Sequence, residues 1–274
     1  MVSGVVPSSR LRGSQKRFSS YPFIIRTCKN LLSYCCGRGS VPYESHADLR
    51  TPPNKTVLWR YMDFAKFLEM IESQSLWFSR IDQLEDPLKG THTDAELAGI
   101  RKHVEKRFAR RLIRLVRSSR REVYVNCWRS GSTESLAMWD LYGKGSGIIA
   151  VKSTVGRLKE AVATYEKSIF ISKSRYFDWN DAPGLDNVLV ACSRKDLSYQ
   201  HESEVRAMIF EVSSNHAARR RLGLRLPVDI EKLITEVMVG QREQRWVVQL
   251  VEQVMKRYKL PQQVLASNRL TPRR

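Results

Sequence analysis

Acidic residues are missing from the start of this chain: no Asp or Glu precedes Glu44. Long apolar runs are missing as well. A membrane-spanning helix needs about 18 consecutive apolar residues, and no such stretch occurs. Cysteine is sparse and unpatterned. Cys28, Cys35, Cys36, Cys127 and Cys192 show no CxxC spacing and leave one over, which speaks against a disulfide framework and for a reducing compartment. A cytoplasmic location is therefore the expectation. No Cys or His pair has zinc-ligand spacing, so no metal is expected on that ground.

What is abundant is positive charge. The 274 residues carry 47 Lys and Arg against 28 Asp and Glu, a formal net charge of +19 and a pI near 10.0. Such a balance favours nucleic acid, nucleotides or anionic membrane surfaces as partners, and it is silent on fold. A hydrophobic content of 42% supports one sizeable domain with extra segments, or two small ones.

The acid-free stretch, rich in Arg and Ser, closes at Pro52-Pro53-Asn54. Residues 1–54 read first as a basic, partly disordered tail or linker. An organelle transit peptide shares that composition. A third reading, an acylated surface anchor, rests on Phe23-Ile24-Ile25, Leu31-Leu32 and Cys35-Cys36. The ordered domain is expected over 55–274.

Within it, Val57–Tyr61 reads as a strand and Phe64–Ser73 as a helix capped by Asp63. Ser75–Ser79 reads as a second strand, followed by an acidic turn at Asp82–Pro87. Thr93–Arg121 reads as one long helix with Ile100, Val104, Phe108, Leu112 and Leu115 as its apolar stripe. Arg107, Arg110, Arg111 and Arg114 lie in its basic remainder. They form either a solvated face or a contact surface for nucleic acid or another polyanion. No aromatic interleaving points to base stacking there. Further strands are expected at Glu122–Cys127, Gly147–Val151, Ser168–Phe177, Val237–Gly240 and Gln263–Ser267. Helices are expected at Ser135–Tyr142, Thr154–Ala163, Val188–Arg194 and Arg242–Tyr258. Gly143–Gly147 reads as a hairpin-type turn rather than a phosphate loop, because a strand follows it. The irregular mixture of elements predicts an α+β domain, a single mixed sheet with flanking helices.

One stretch carries more chemistry than the rest: Tyr199-Gln200-His201-Glu202-Ser203-Glu204-Val205-Arg206. If it is strand throughout, Glu202, Glu204 and Arg206 project from one face, and burying that row is costly without a ligand or partner. His201 then takes the other face, as a packed or surface residue rather than a catalytic base. Cys127 and Cys192 read as small buried apolar residues.

In order along the chain, Leu58-Trp59-Arg60-Tyr61, Leu76-Trp77-Phe78-Ser79, Asp86-Pro87, Val125-Asn126-Cys127-Trp128, Met138-Trp139-Asp140-Leu141-Tyr142, Glu202-Ser203-Glu204-Val205-Arg206 and Val237-Met238-Val239-Gly240 resemble the motifs of the uncharacterised bacterial domain-of-unknown-function 2971 family. The resemblance spans about residues 56–270. Lys89 departs from it, standing where the family usually carries an acid, and this weakens any metal site at that loop. The layout is also similar to that of ADP-ribosyltransferases, which place a basic residue on the first strand and paired acids late. That similarity implies NAD as co-substrate, with Arg60 on the pyrophosphate, Glu204 as the catalytic carboxylate and Glu202 as its helper. Arg206, Trp139, Tyr142 and Tyr61 would then line the cofactor site. Ser132-Thr133-Glu134 departs from the Ser-Thr-Ser strand of that superfamily. Two alternatives stand beside it: a metal-dependent nuclease using Asp86, Glu202 and Glu204, or a non-catalytic nucleic-acid or protein-binding module whose acid–Arg row is an internal salt-bridge network.

Overall fold

A computed structural model describes residues 43–86, 90–142, 147–179, 187–212 and 220–267. Most of the expected N-terminal tail, the Gly143–Ser146 turn and Lys89 lie outside the described residues.

The α+β expectation is met. Eleven strands are described: β1 (Val57–Asp63), β2 (Ser75–Arg80), β3 (Val123–Ser130), β4 (Ile148–Thr154), β5 (Ile169–Lys173), β6 (Arg175–Phe177), β7 (Arg194–Asp196), β8 (Glu204–Phe210), β9 (Gly223–Pro227), β10 (Glu236–Val239) and β11 (Gln263–Ala266). Nine form one mixed sheet in the order β11-β10-β4-β1-β3-β2-β9, with β8 against β3 and β5 against β8. Only the β10–β11 pair in that sheet is parallel; β6 and β7 make a separate parallel pair. The expected strand Ser168–Phe177 is thus two strands in two sheets, broken at Ser174, whose amide donates to the Glu204 carbonyl.

The two faces follow from period-two alternation. On β1, Leu58 and Met62 enter a large apolar cluster while Trp59 and Tyr61 enter a smaller one; on β4, Ile149 and Val151 part from Ile148 and Ala150 in the same way. The large cluster is covered by α1 (Phe64–Glu72), α5 (Val155–Ala161), α7 (Ile230–Leu233) and α8 (Arg245–Arg257). The smaller is covered by α4 (Leu136–Tyr142) through Met138 and Trp139. Asp63 caps α1 as expected, accepting from the Lys66 amide at 2.8 Å. Residues 43–51 run along the outer edge of β5, where Thr51 Oγ1 donates to the Ile171 carbonyl at 2.7 Å and Arg50 N to Ser172 Oγ at 3.1 Å. An open strand edge is thereby covered.

The predicted long helix is two, α2 (Asp94–His103) and α3 (Lys106–Ser119), parted by extended backbone at Val104 and Glu105. The break resets the phase of the apolar stripe. Ala109, Leu112, Ile113 and Val116 face inward, while Phe108 and Leu115 are exposed. A capping box holds the start of α2, with Thr93 and Glu96 bonding each other's backbone amides. The short helix α6 (Val188–Cys192) stops before Arg194, which begins β7 instead.

The feature that matters most for a site is the crowding of β3. Arg129 pairs with both Trp59 of β1 and Glu204 of β8, while Val125 pairs with Ser79 of β2 and Met208 of β8. A strand has two edges, so β1 and β2 must share one of them, at opposite ends. The β1–β3 ladder stops after Trp59, and between the two ladders Asn126, Cys127 and Trp128 face a fork in the sheet. Asn126 Nδ2 partly bridges the fork by donating to the Trp77 carbonyl at 2.8 Å.

Candidate functional site

The carboxylate motif is not a continuous strand. Leu197–Glu202 forms a 3-10 turn, Ser203 is left-handed at φ 43°, and β8 starts only at Glu204. Glu202 and Glu204 therefore do not alternate along one strand face as expected, and His201 is an exposed residue of that turn. The left-handed step nevertheless brings the two carboxylates together. Both accept from one ammonium, Lys195 Nζ, with Glu204 Oε2 at 3.2 Å and Glu202 Oε2 in closer contact. Glu204 Oε2 also takes Arg206 Nη2 at 2.8 Å and Ser174 Oγ at 3.2 Å. Tyr176 Oη accepts from the Glu204 amide at 2.7 Å.

This network is sealed. Side-chain exposure is 1% for Lys195, 0% for Arg206 and 6% for Glu204, rising to 15% for Glu202. Burial on its own would lower the Arg206 pKa; Glu204, then Cys127, outweigh it and hold the pKa above its usual value. Arg206 also donates to the Cys192 carbonyl. Two cations thus balance two carboxylates, the condition under which buried charge is tolerable. Lys195 is the member that sequence reasoning missed. A second sealed pair lies next to it in sequence, Arg194 Nη1 to Glu96 Oε1 at 2.7 Å, which ties β7 to α2.

Arg60 sits at the fork. Its guanidinium carbon is 5.9 Å from the centre of the Trp128 ring, a cation–π contact. Its Nη1 is buried with no hydrogen-bond partner. Burial lowers its pKa, with Cys127, Tyr142 and Glu69 pushing the other way. Alternation along β1 assigns Arg60 to the face of Leu58 and Met62, whereas Glu204 and Arg206 alternate with Val205 and Ala207 of the large cluster. No ion pair joins Arg60 to either carboxylate among the described residues. The Tyr142 phenol interacts electrostatically with Cys127, Arg60, Glu202 and Glu204. Burial, then Cys127, pushes that phenol up to about 12.

An aromatic group stands on the same side as Tyr142. Tyr61 stacks on Tyr142 with ring centres 6.3 Å apart and meets Trp139 edge-on at 4.9 Å. Trp139 is 4% exposed and donates to Glu134 Oε2 at 2.9 Å, so it forms the base of the group, while Tyr142 is 43% exposed and forms its rim. Tyr61 Oη accepts from the Ser135 amide, which fixes the start of α4.

Arg107, Arg110, Arg111 and Arg114 are all exposed on α3. Asp86 is buried. Among the described residues no group of three His, Cys, Asp or Glu side chains could hold a metal ion, and the two motif carboxylates are already held by Lys195 and Arg206. No described helix is long and apolar enough to cross a membrane.

No family model matches the chain, so the resemblance to the domain-of-unknown-function 2971 family rests on the quoted residues alone. No curated protein matches it either. Among solved structures, DarT of Thermus sp. 2.9, in complex with ADP-ribosylated single-stranded DNA, is similar at a TM-score of 0.31 and 10% identity, over 80% of this chain and 97% of that one. A likeness that low fixes neither the fold nor the function of this chain.

Proposed function

We propose that the chain is a nucleotide-using transferase of the ADP-ribosyl type, with the fork between β1 and β3 as its nucleotide site. The observation that carries this reading is the buried, unpartnered Nη1 of Arg60 at that fork. A desolvated guanidinium with an unpaired donor is costly, and a pyrophosphate oxygen would satisfy it with a charge-assisted bond. Tyr61 and Tyr142 form an aromatic pair on the opposite face of β1, where a base could stack, and the Tyr142 phenol interacts electrostatically with Arg60 and with both carboxylates.

The carboxylates divide the work. Glu204, held by Arg206, Lys195 and Ser174, is a positioning residue. Glu202 has one ion-pair partner and the greater exposure, so it is the carboxylate that faces the ribosyl carbon. This exchanges the roles expected from the sequence. The dinucleotide supplies an activated glycosidic bond: C1′–N breaks, the electron pair leaves with neutral nicotinamide, and an acceptor atom bonds C1′ and gives up a proton. Glu202 stabilises the positive charge that develops on the ribose.

The test is NAD binding by calorimetry together with nicotinamide release. Arg60→Gln is expected to weaken binding by roughly 10- to 100-fold, the worth of one charge-assisted bond. Glu202→Gln is expected to leave binding intact and lower turnover by on the order of 10²-fold. Wild-type protein that neither binds nor cleaves the dinucleotide sinks the proposal and leaves the carboxylates as an internal salt-bridge network.

A further inference from the structure

We propose that α3 is a nucleic-acid docking surface that grips the phosphodiester backbone without regard to sequence. The inference is independent of the nucleotide reading and goes beyond it. It rests first on the local concentration of surface cations. Elsewhere on the fold exposed cations are scattered, some with acidic partners, as Lys66 with Asp63, Arg225 with Glu69, Lys232 with Asp229 and Arg242 with Asp140, and some without one among the described residues, as Lys173 and Lys256. On α3, Arg107, Arg110, Arg111, Arg114 and Arg117 are exposed and none has an ion pair among the described residues. The helix itself contains no acid in Lys106–Ser119. Five like charges on one helix repel one another and are destabilising unless an external polyanion is present.

Geometry and residue choice narrow the partner. At about 1.5 Å rise per residue, Arg107 to Arg117 covers roughly 15 Å along the axis, several phosphates of a nucleic-acid strand. The inner side of the helix is committed to Ala109, Leu112, Ile113 and Val116, and the five arginines lie on its outer side. Five of the six cations are Arg rather than Lys. A planar guanidinium fork matches the paired oxygens of a phosphodiester, whereas attraction to an anionic bilayer draws on either cation equally.

The experiment follows binding of the full chain to a mixed-sequence oligonucleotide by anisotropy across a salt series, with no dinucleotide present. Replacing Arg107, Arg110, Arg111 and Arg114 with Gln is expected to make the slope of log K against log salt shallower by about three. Arg111→Gln alone is expected to remove somewhat under one. A charge-matched control, Lys66, Arg225, Lys232 and Arg242 all to Gln, is expected to shift it by less than one. Unchanged melting temperatures keep the readout on binding rather than folding. Equal slope changes in the two quadruple variants overturn the proposal, because net charge alone then explains the binding. So does binding to phosphatidylserine vesicles at protein concentrations where oligonucleotide stays free.

Discussion

Lys195→Met tests the buried network most directly. Lys195, Arg206, Glu202 and Glu204 sum to zero charge, and the substitution leaves that enclosed set at −1. Both carboxylate oxygens lie within 3.2 Å of the same ammonium, so they remain within about 6 Å of each other when it is gone. At an effective dielectric near 20, like charges at that separation repel by ~3 kcal/mol. Arg206 still holds Glu204 at 2.8 Å, but Glu202 loses its ion pair. Breaking a buried pair typically costs about 3–5 kcal/mol, and that is the expected loss of stability here. Urea unfolding followed by tryptophan fluorescence reads it. Adding Glu204→Gln restores neutrality, so the double variant is expected to be more stable than Lys195→Met alone, with a coupling energy of roughly 1–3 kcal/mol. Strict additivity, or a Lys195→Met protein as stable as wild type, would refute the claim that one ammonium holds both acids.

Two further outcomes are expected. Burial, helped by Glu211, raises the Tyr165 phenol to about 12, and Tyr142 is raised to about 12 as well. An unfolded tyrosine titrates near 10, so the stability these phenols contribute is complete below about pH 10 and is lost as pH rises towards 12. A near-ultraviolet phenolate titration should show late-ionising tyrosines, with one fewer in Tyr142→Phe; a single transition near 10 contradicts this. Separately, a Cβ added at Gly223 overlaps the Trp77 ring and stands 2.7 Å from the Phe78 carbonyl oxygen. Gly223→Ala should cost about 1–3 kcal/mol and alter the Trp77 environment, and an unchanged urea midpoint would contradict the β2–β9 packing.

Much of the fold was legible because it is local. Asp63 before Phe64-x-x-Phe67-Leu68 announces a capped helix, and the alternation along β1 and β4 is what a sheet covered on both faces requires. What was hidden depends on distant contacts or on backbone that carries no residue signature. The apolar steps from Ile100 to Leu115 run unbroken through Val104, yet the helix breaks there without Pro or Gly. Ser203 adopts a left-handed conformation that the sequence does not favour, and this places the two glutamates on one ammonium although they do not share a strand. Lys195, in Arg194-Lys195-Asp196, reads as a solvated charge; only the assembled β6–β7 pair and the 3-10 turn bury it. Arg60 was legible as a charged residue in the middle of a mostly apolar strand, but the fork it occupies depends on three strands meeting β3.

The fork has a consequence during synthesis. Arg60 leaves the ribosome early, while the strand that fills the other edge of β3 ends at Phe210. At 5–20 residues per second, the lag between them is on the order of 10 s. From the completion of β3 until β8 follows, one long edge of β3 is unpaired, and Arg60 has been made before either carboxylate exists. A nascent or truncated chain ending before β8 therefore lacks Glu204 and Arg206 and leaves β3 with an open edge. Closure of both edges of β3 waits until most of the sheet has been made, a delay built into the order of the strands.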